Sequence, residues 1–190
     1  DHPSVDEWKQ THFWGLYAYL NQTKSATHSK DKLPYLVENL ATKKIEFQSV
    51  FETEKKTTGP HLPGGKEIPI PTLEKGQEYE KPATDGLPAL PKFRPRELLA
   101  RDLTSRDNAH FVRNGVNRLW YLMMGRGLCY PLDEVHAQNP PSHPELMKLL
   151  MKEFAARKFD VKWFIREIAL SESYQRSSQL PPDVKKPNEA

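Results

Sequence analysis

The chain has 190 residues, 37% of them hydrophobic, a formal net charge of +3 and a mean hydropathy of −0.75. That length suits one domain, or one domain with an extended arm. The charge is too small to point to nucleic acid, and no run approaches the ~18 apolar residues of a membrane span.

The first predicted element is a helix. Asp6 has the short acidic side chain of a cap, and Trp8, Phe13, Leu16, Tyr17 and Leu20 follow it. The 13/16/17/20 spacing puts an aromatic-rich stripe on one helical face, expected to be core. Asn21 and the Ser/Thr/Lys-rich stretch to Lys32 break the helix, and residues 33–40 are short and ambiguous. A strand is expected over 45–51, where Ile45, Phe47 and Phe51 share one side. Residues 57–65, with Gly59-Pro60 and Pro63-Gly64-Gly65, read as a turn, and 66–70 as a returning strand that Pro69 confines to an edge. Eight prolines lie from Pro60 to Pro95, so 60–92 is expected to run as an extended arm with little helix.

Helical grammar then takes over. Pro95 suits a first helical turn, ahead of Leu98, Leu99 and Leu103. Asp107 or Asn108 caps a second helix with the stripe Val112, Val116, Leu119 and Met123, ended by Gly125 and Gly127. Ser142 with Glu145 three residues on has the form of a capping box, before Leu146, Leu149, Leu150 and Phe154. Asp160 caps a last helix with Val161, Phe164, Ile165 and Ile168 inward. One core is expected from Val116, Leu119, Leu146, Leu150, Phe154, Phe164, Ile165 and Ile168. Residues 92–190 hold 10 Arg, 7 Lys and 12 acids, whereas residues 1–91 hold no Arg. Arginine pairs bidentately with carboxylates, so structural Arg–acid networks are expected there.

The fold class is therefore read as mainly α, a helical bundle-like domain with a short β hairpin and a Pro-rich arm, with α+β as the alternative. The segments are 1–41, a helical start; 42–92, the β and Pro-rich arm; 93–178, the helical domain; and 179–190, a loose tail.

Few residues point to chemistry. The single cysteine, Cys129, excludes an internal disulfide and a cysteine-based metal centre, and reads as a small buried hydrophobe. Asp133, Glu134 and His136, with His143 nearby, are the candidate acid–base or metal-ligating groups. They match no metal spacing and straddle the stiff Asn139-Pro140-Pro141 break, so no metal site is expected. Asp133 is expected to pair with Arg118 or Arg126 and lock its loop to the second helix. Arg113 and Asn117 share a helix face, as do Asn114 and Arg118. With Tyr174 and Arg176 this set could bind an anion such as an acidic glycan, or serve as a structural clasp.

Several words occur in order: Arg96-Glu97-Leu98-Leu99-Ala100, Asn117-Arg118-Leu119-Trp120, Gly125-Arg126-Gly127-Leu128, Asn139 to Leu146, Phe159-Asp160-Val161-Lys162, and Ser171 with Tyr174-Gln175 and Ser177-Ser178. As a series over about 93–178 they resemble the planctomycete-type PSD1 domain, DUF1553. Asp1-His2-Pro3 with Trp8 and Gly15-Leu16 resembles the end of DUF1549, a cytochrome-c-like planctomycete domain. The residues just before Asp-His-Pro in that family are typically Cys-x-x-Cys-His, the haem c attachment word. The resemblance implies a piece of a larger, exported, cytochrome-c-associated protein, with haem c in the parent and none in this chain. It makes His2 and Trp8 candidates for a haem edge, and the parent's remaining domains the expected partners. The expected role is that of an accessory module without activity of its own. The alternatives are a hydrolase or lyase acting on acidic polysaccharide through Asp133, Glu134 and His136, and a protein-docking module.

Overall fold

A computed structural model describes residues 8–28, 32–49, 53–84 and 86–177. Asp6, Phe51 and Ser178, as well as His2, lie outside the described residues. The chain divides into two compact units, Asp1–Ser105 and Arg106–Ala190. The described residues form helices and three two-stranded antiparallel sheets, so the architecture is α+β, the alternative above, rather than mainly α.

The first unit opens with α1 (Gln10–Leu20). Its buried face is not the aromatic stripe. Gly15, Ala18 and Tyr19 are buried, whereas Phe13 is 60% exposed, and Tyr17 and Leu20 lie nearly half open. The reason is close approach. The His61 ring occupies the space into which a Cβ on Gly15 would project, and the His61 N–H reaches the Gly15 carbonyl at 3.4 Å. Only the small-residue face admits that loop. Trp14 remains on the inner side, stacked on Phe47 at 5.7 Å.

Hairpins follow. β1 (Thr23–Thr27) pairs with β2 (Pro34–Glu38), Thr23 opposite Glu38 and Thr27 opposite Pro34. The sequence reading missed this hairpin because both faces of β1 stay open to solvent, which leaves no apolar alternation to detect. β3 (Ile45–Gln48) pairs with β4 (Lys55–Thr58) rather than with residues 66–70. The Ile68 N–H is instead taken by the Pro60 carbonyl at 2.8 Å. β4 carries two lysines and buries only Thr58, so it has no apolar side to announce it. Described residues between 60 and 92 hold no helix, but they are paired in part: β5 (Tyr79–Lys81) runs antiparallel to β6 (Leu90–Pro91).

α2 (Pro95–Leu103) closes the first unit. Pro95 stands in its first turn, and the Arg96 N–H, free of any intrahelical partner, donates to Glu38 Oε1 at 2.8 Å. A carboxylate from β2 thus caps α2, where the helix dipole favours negative charge. Tyr19 of α1 donates its hydroxyl to Asp102 Oδ2 at 3.4 Å.

The second unit is helical: α3 (Ala109–Met124), α4 (Pro144–Ala156), α5 (Val161–Ala169) and the single turn α6 (Glu172–Gln175). Asn108 Oδ1 accepts from the Phe111 N–H at 3.3 Å and starts α3; Gly125, at φ +80°, stops it. Asp160 Oδ1 accepts from the Trp163 N–H at 3.0 Å and starts α5. The core is Val112, Val116, Leu128, Cys129, Met147, Phe154, Phe164 and Ile168. Leu119, Leu146 and Leu150 pack against it half-buried. Val161 and Ile165 depart from the expected stripe at 44% and 38% exposed, as does Leu149 at 55%, whose inward place is taken by Met147. Between α4 and α5 the backbone turns through two left-handed residues, Lys158 at φ +57° and Phe159 at φ +61°. That turn sets the Phe159 ring against both Phe111 and Phe154, 5.5 and 5.4 Å between centroids. The capping box at Ser142 does not form. His143 takes the cap position without a side-chain bond to the helix, and its Nδ1 lies 3.1 Å from Ser142 Oγ.

Candidate functional site

The second unit's most specific polar feature lies on the inner face of α3. Asn117, fully buried, donates from Nδ2 to the Cys129 carbonyl at 2.8 Å, and its Oδ1 accepts the Cys129 N–H at 2.9 Å. An amide side chain thereby stands in for a neighbouring strand and clasps the loop after α3. Gly127 makes the clasp possible: a Cβ there would lie 2.5 Å from the Cys129 carbonyl and 3.0 Å from Asn117 Oδ1. Burial pushes the Cys129 thiol above its usual range, more than the nearby Arg113 charge draws it down. Cys129 is thus a protonated, apolar filler. Arg113, one turn before Asn117, has its Nε buried without a hydrogen-bond partner.

The clasp shapes a groove of about 490 Å³. Trp120 and Met124 of α3 form one side, residues 126–128 and Tyr130 the rim, and Asn139, Pro140, Ser142 and His143 the other side. The exposed Arg126 guanidinium lies 5.2 Å from the Tyr130 ring centroid. Asn139 Nδ2 is held by the Glu134 carbonyl at 2.6 Å, and the Ser142 N–H by the Leu128 carbonyl at 2.7 Å. These bonds fix the loop between α3 and α4.

The sequence candidates fall elsewhere. Asp133 Oδ1 receives Arg118 Nη2 at 2.5 Å, the pairing expected, but both side chains are largely in solvent. Arg118 Nε also donates to Asn114 Oδ1 at 2.9 Å. Glu134 is exposed; His136 is half-buried, with Nδ1 shielded and unbonded. None of Asp133, Glu134 and His136 lines the groove, nor does any of Arg113, Asn117, Arg118, Tyr174 and Arg176. Tyr174 and Arg176 are exposed at and after α6. Trp8 is 47% exposed, its ring edge-on to His12 at 5.8 Å. Among the described residues no three His, Cys, Asp or Glu side chains come together as a metal site, and no helix is long and apolar enough to cross a membrane. Sequence reasoning missed Trp120, Arg126, Tyr130 and Asn139 as groove residues. Its one usable signal was Arg126 between two glycines, a cation at the turn that ends a helix.

The first unit has two grooves of its own. One, about 420 Å³, is lined by Glu38, Arg94, Arg96 and Glu97 among others; the second, about 510 Å³, by Thr58, His61 and Glu67 among others. Their charges are largely self-paired. Arg94 bonds Glu97 at 2.8 Å, and Lys44 bonds Glu67 at 2.6 Å, which with smaller contributions holds the Glu67 carboxyl below its usual range. Desolvation first, then His61 and Lys9, draw the His12 imidazole below its ordinary value.

No curated protein and no solved structure matches the chain. The α2 opening at Pro95, the Asn117 clasp and the Asp160 cap all fall within residues 95–190, which match the PSD1 family described as a protein of unknown function (DUF1553), and the chain belongs to that family.

Proposed function

We infer that the chain is a non-catalytic accessory module of a larger exported protein associated with a c-type cytochrome. One observation carries the accessory reading. Side chains with catalytic potential are engaged elsewhere, as with Asn117 in the buried clasp and Asp133 in an exposed ion pair with Arg118, or stand apart from the groove, as with Glu134 and His136. The wider setting, including export, a DUF1549-like start, a planctomycete source and haem c in the parent, is drawn from the resemblance of the opening residues and of the 93–178 series. This chain's own residues do not fit covalent haem. Attachment needs two thiols and a histidine in Cys-x-x-Cys-His spacing, whereas the single thiol, Cys129, is 1% exposed in the core.

The test is turnover. The purified chain, offered uronic and sulfated polysaccharides, is expected to produce no reducing ends above those from a triple variant Asp133→Asn, Glu134→Gln, His136→Ala. Turnover that disappears in the triple variant would replace this reading with the hydrolase or lyase one. For the haem association, the parent's sequence upstream of Asp1, expressed with this chain in a host with cytochrome c maturation, is expected to give a Soret band. Its absence would sink that part alone.

A further inference from the structure

We propose that the groove between the end of α3, the 126–130 turn and the start of α4 binds the acidic sugar unit of a glycan, a uronate, with Arg126 receiving the carboxylate. The inference rests on the accessory reading in one respect, that this groove binds and does not react.

Three observations select the ligand. The first is sign. No Asp or Glu lines the groove, while Arg126 stands exposed at its rim. The first unit's grooves contain acids beside their cations and pair them internally. Arg126 has no carboxylate partner among the described ion pairs; its guanidinium lies on the Tyr130 ring. A guanidinium so placed keeps N–H groups for a bidentate carboxylate. A lone guanidinium suits a single carboxylate better than a phosphate, which carries more charge.

The second observation is the pair of aromatic surfaces. Trp120 lines the groove half-buried, and Tyr130 is 51% exposed. Flat apolar faces of this kind take the C–H face of a pyranose ring, an amphipathic surface matched to amphipathic side chains. The third is the polar complement. Asn139 is anchored through Nδ2 to the Glu134 carbonyl, which leaves Oδ1 as a fixed acceptor. Ser142 Oγ and His143 Nδ1, 3.1 Å apart, add a hydroxyl and a ring nitrogen that serve as donor or acceptor according to tautomer. Such groups answer ring hydroxyls, whereas an acidic peptide would need apolar pockets or an open strand edge beside the cation. A volume of about 490 Å³ falls within the ordinary range for small-ligand sites.

The experiment uses the whole chain and short galacturonate oligomers, compared with the same oligomers as methyl esters, followed by calorimetry and by the Trp120 indole signal in NMR spectra. The free acid is expected to bind and to shift the Trp120 signal. Esterification and Arg126→Gln should each weaken binding roughly tenfold or more, the scale of a charge-assisted pair. Arg157→Gln removes a comparable guanidinium stacked 4.4 Å over Trp163, outside the groove, and should leave binding unchanged. A circular dichroism spectrum checks that Arg126→Gln still folds. Equal affinity for acid and ester, equal loss in both Arg variants, or no binding at millimolar oligomer would overturn the proposal. No binding would leave the accessory reading standing, whereas binding with cleavage would uphold the ligand and overturn that reading.

Discussion

Asn117 shows how one side chain can fix a loop. Truncation to Ala would leave the Cys129 N–H and carbonyl buried without partners, each costing about 1–3 kcal/mol. Asn117→Ala is therefore expected to destabilise the second unit by about 2–6 kcal/mol in urea unfolding. Asn117→Asp should do no better, since it loses the donor to the carbonyl and buries a charge. The opposite sign is expected at Lys158, an exposed residue held left-handed at φ +57°. That conformation costs a side-chain-bearing residue about 1–2 kcal/mol, and glycine escapes it at an entropic cost of about 0.5–1 kcal/mol. Lys158→Gly should raise the unfolding midpoint, by up to about 1 kcal/mol in free energy. Tyr19 sets an alkaline limit. Burial first, then the Asp102 charge, pushes its phenol up to about 12 from 10.0. The folded value is raised, so its contribution is complete below pH 10 and is lost as pH rises through about 12. Tyr19→Phe should flatten that alkaline fall in a pH-dependent melting series, while costing about 0.5–1.5 kcal/mol at neutral pH.

At the scale of elements, α5 separates what a stripe predicts from what packing uses. Phe164 is 1% exposed and meets Phe154 at 5.0 Å between centroids, whereas Ile165 beside it is 38% exposed. Phe164→Ala should cost about 3–5 kcal/mol and Ile165→Ala well under half of that, as read by thermal or denaturant unfolding. The helices of the second unit were legible because their information is local: Asn108 and Asp160 cap, Gly125 stops, and Val112, Val116 and Phe154 fall on the inward face. In the first unit β3 was legible too, from Ile45 and Phe47 on one side, but its pairing with β4 and the whole β1–β2 hairpin were not. Strand pairs such as Lys24 with Val37 and Lys56 with Phe47 are set by backbone register, and β1 and β4 carry no apolar period to announce them. α1 misled for a different reason. Its larger side chains do form a stripe, but Gly15 admits the His61 loop, which a bulkier residue would exclude. The groove went unseen because Trp120, Arg126, Tyr130 and Asn139 are gathered by the Asn117 clasp, a long-range contact that no spacing rule encodes.

For the whole molecule, the second unit's core is drawn entirely from residues 112–168. Residues 106–177, expressed as a separate polypeptide, are expected to melt cooperatively and to keep the helical spectrum of α3 to α5. A broad, non-cooperative transition would show that the unit does not stand on its own. Starting instead at residue 95 should add no stability. That prediction follows from α2, which matches the family by sequence yet packs with what precedes it: Glu38 supplies its cap and Tyr19 bonds its Asp102. The stretch of shared ancestry and the folding unit are offset by one helix. A gene rearrangement that joined foreign sequence at Pro95 would deliver a helix lacking both its capping carboxylate and its phenol partner. The 8–94 segment and the DUF1553 region are thus expected to be inherited together, and relatives with a different lead-in should show compensating changes at the Arg94 cap position and at Asp102.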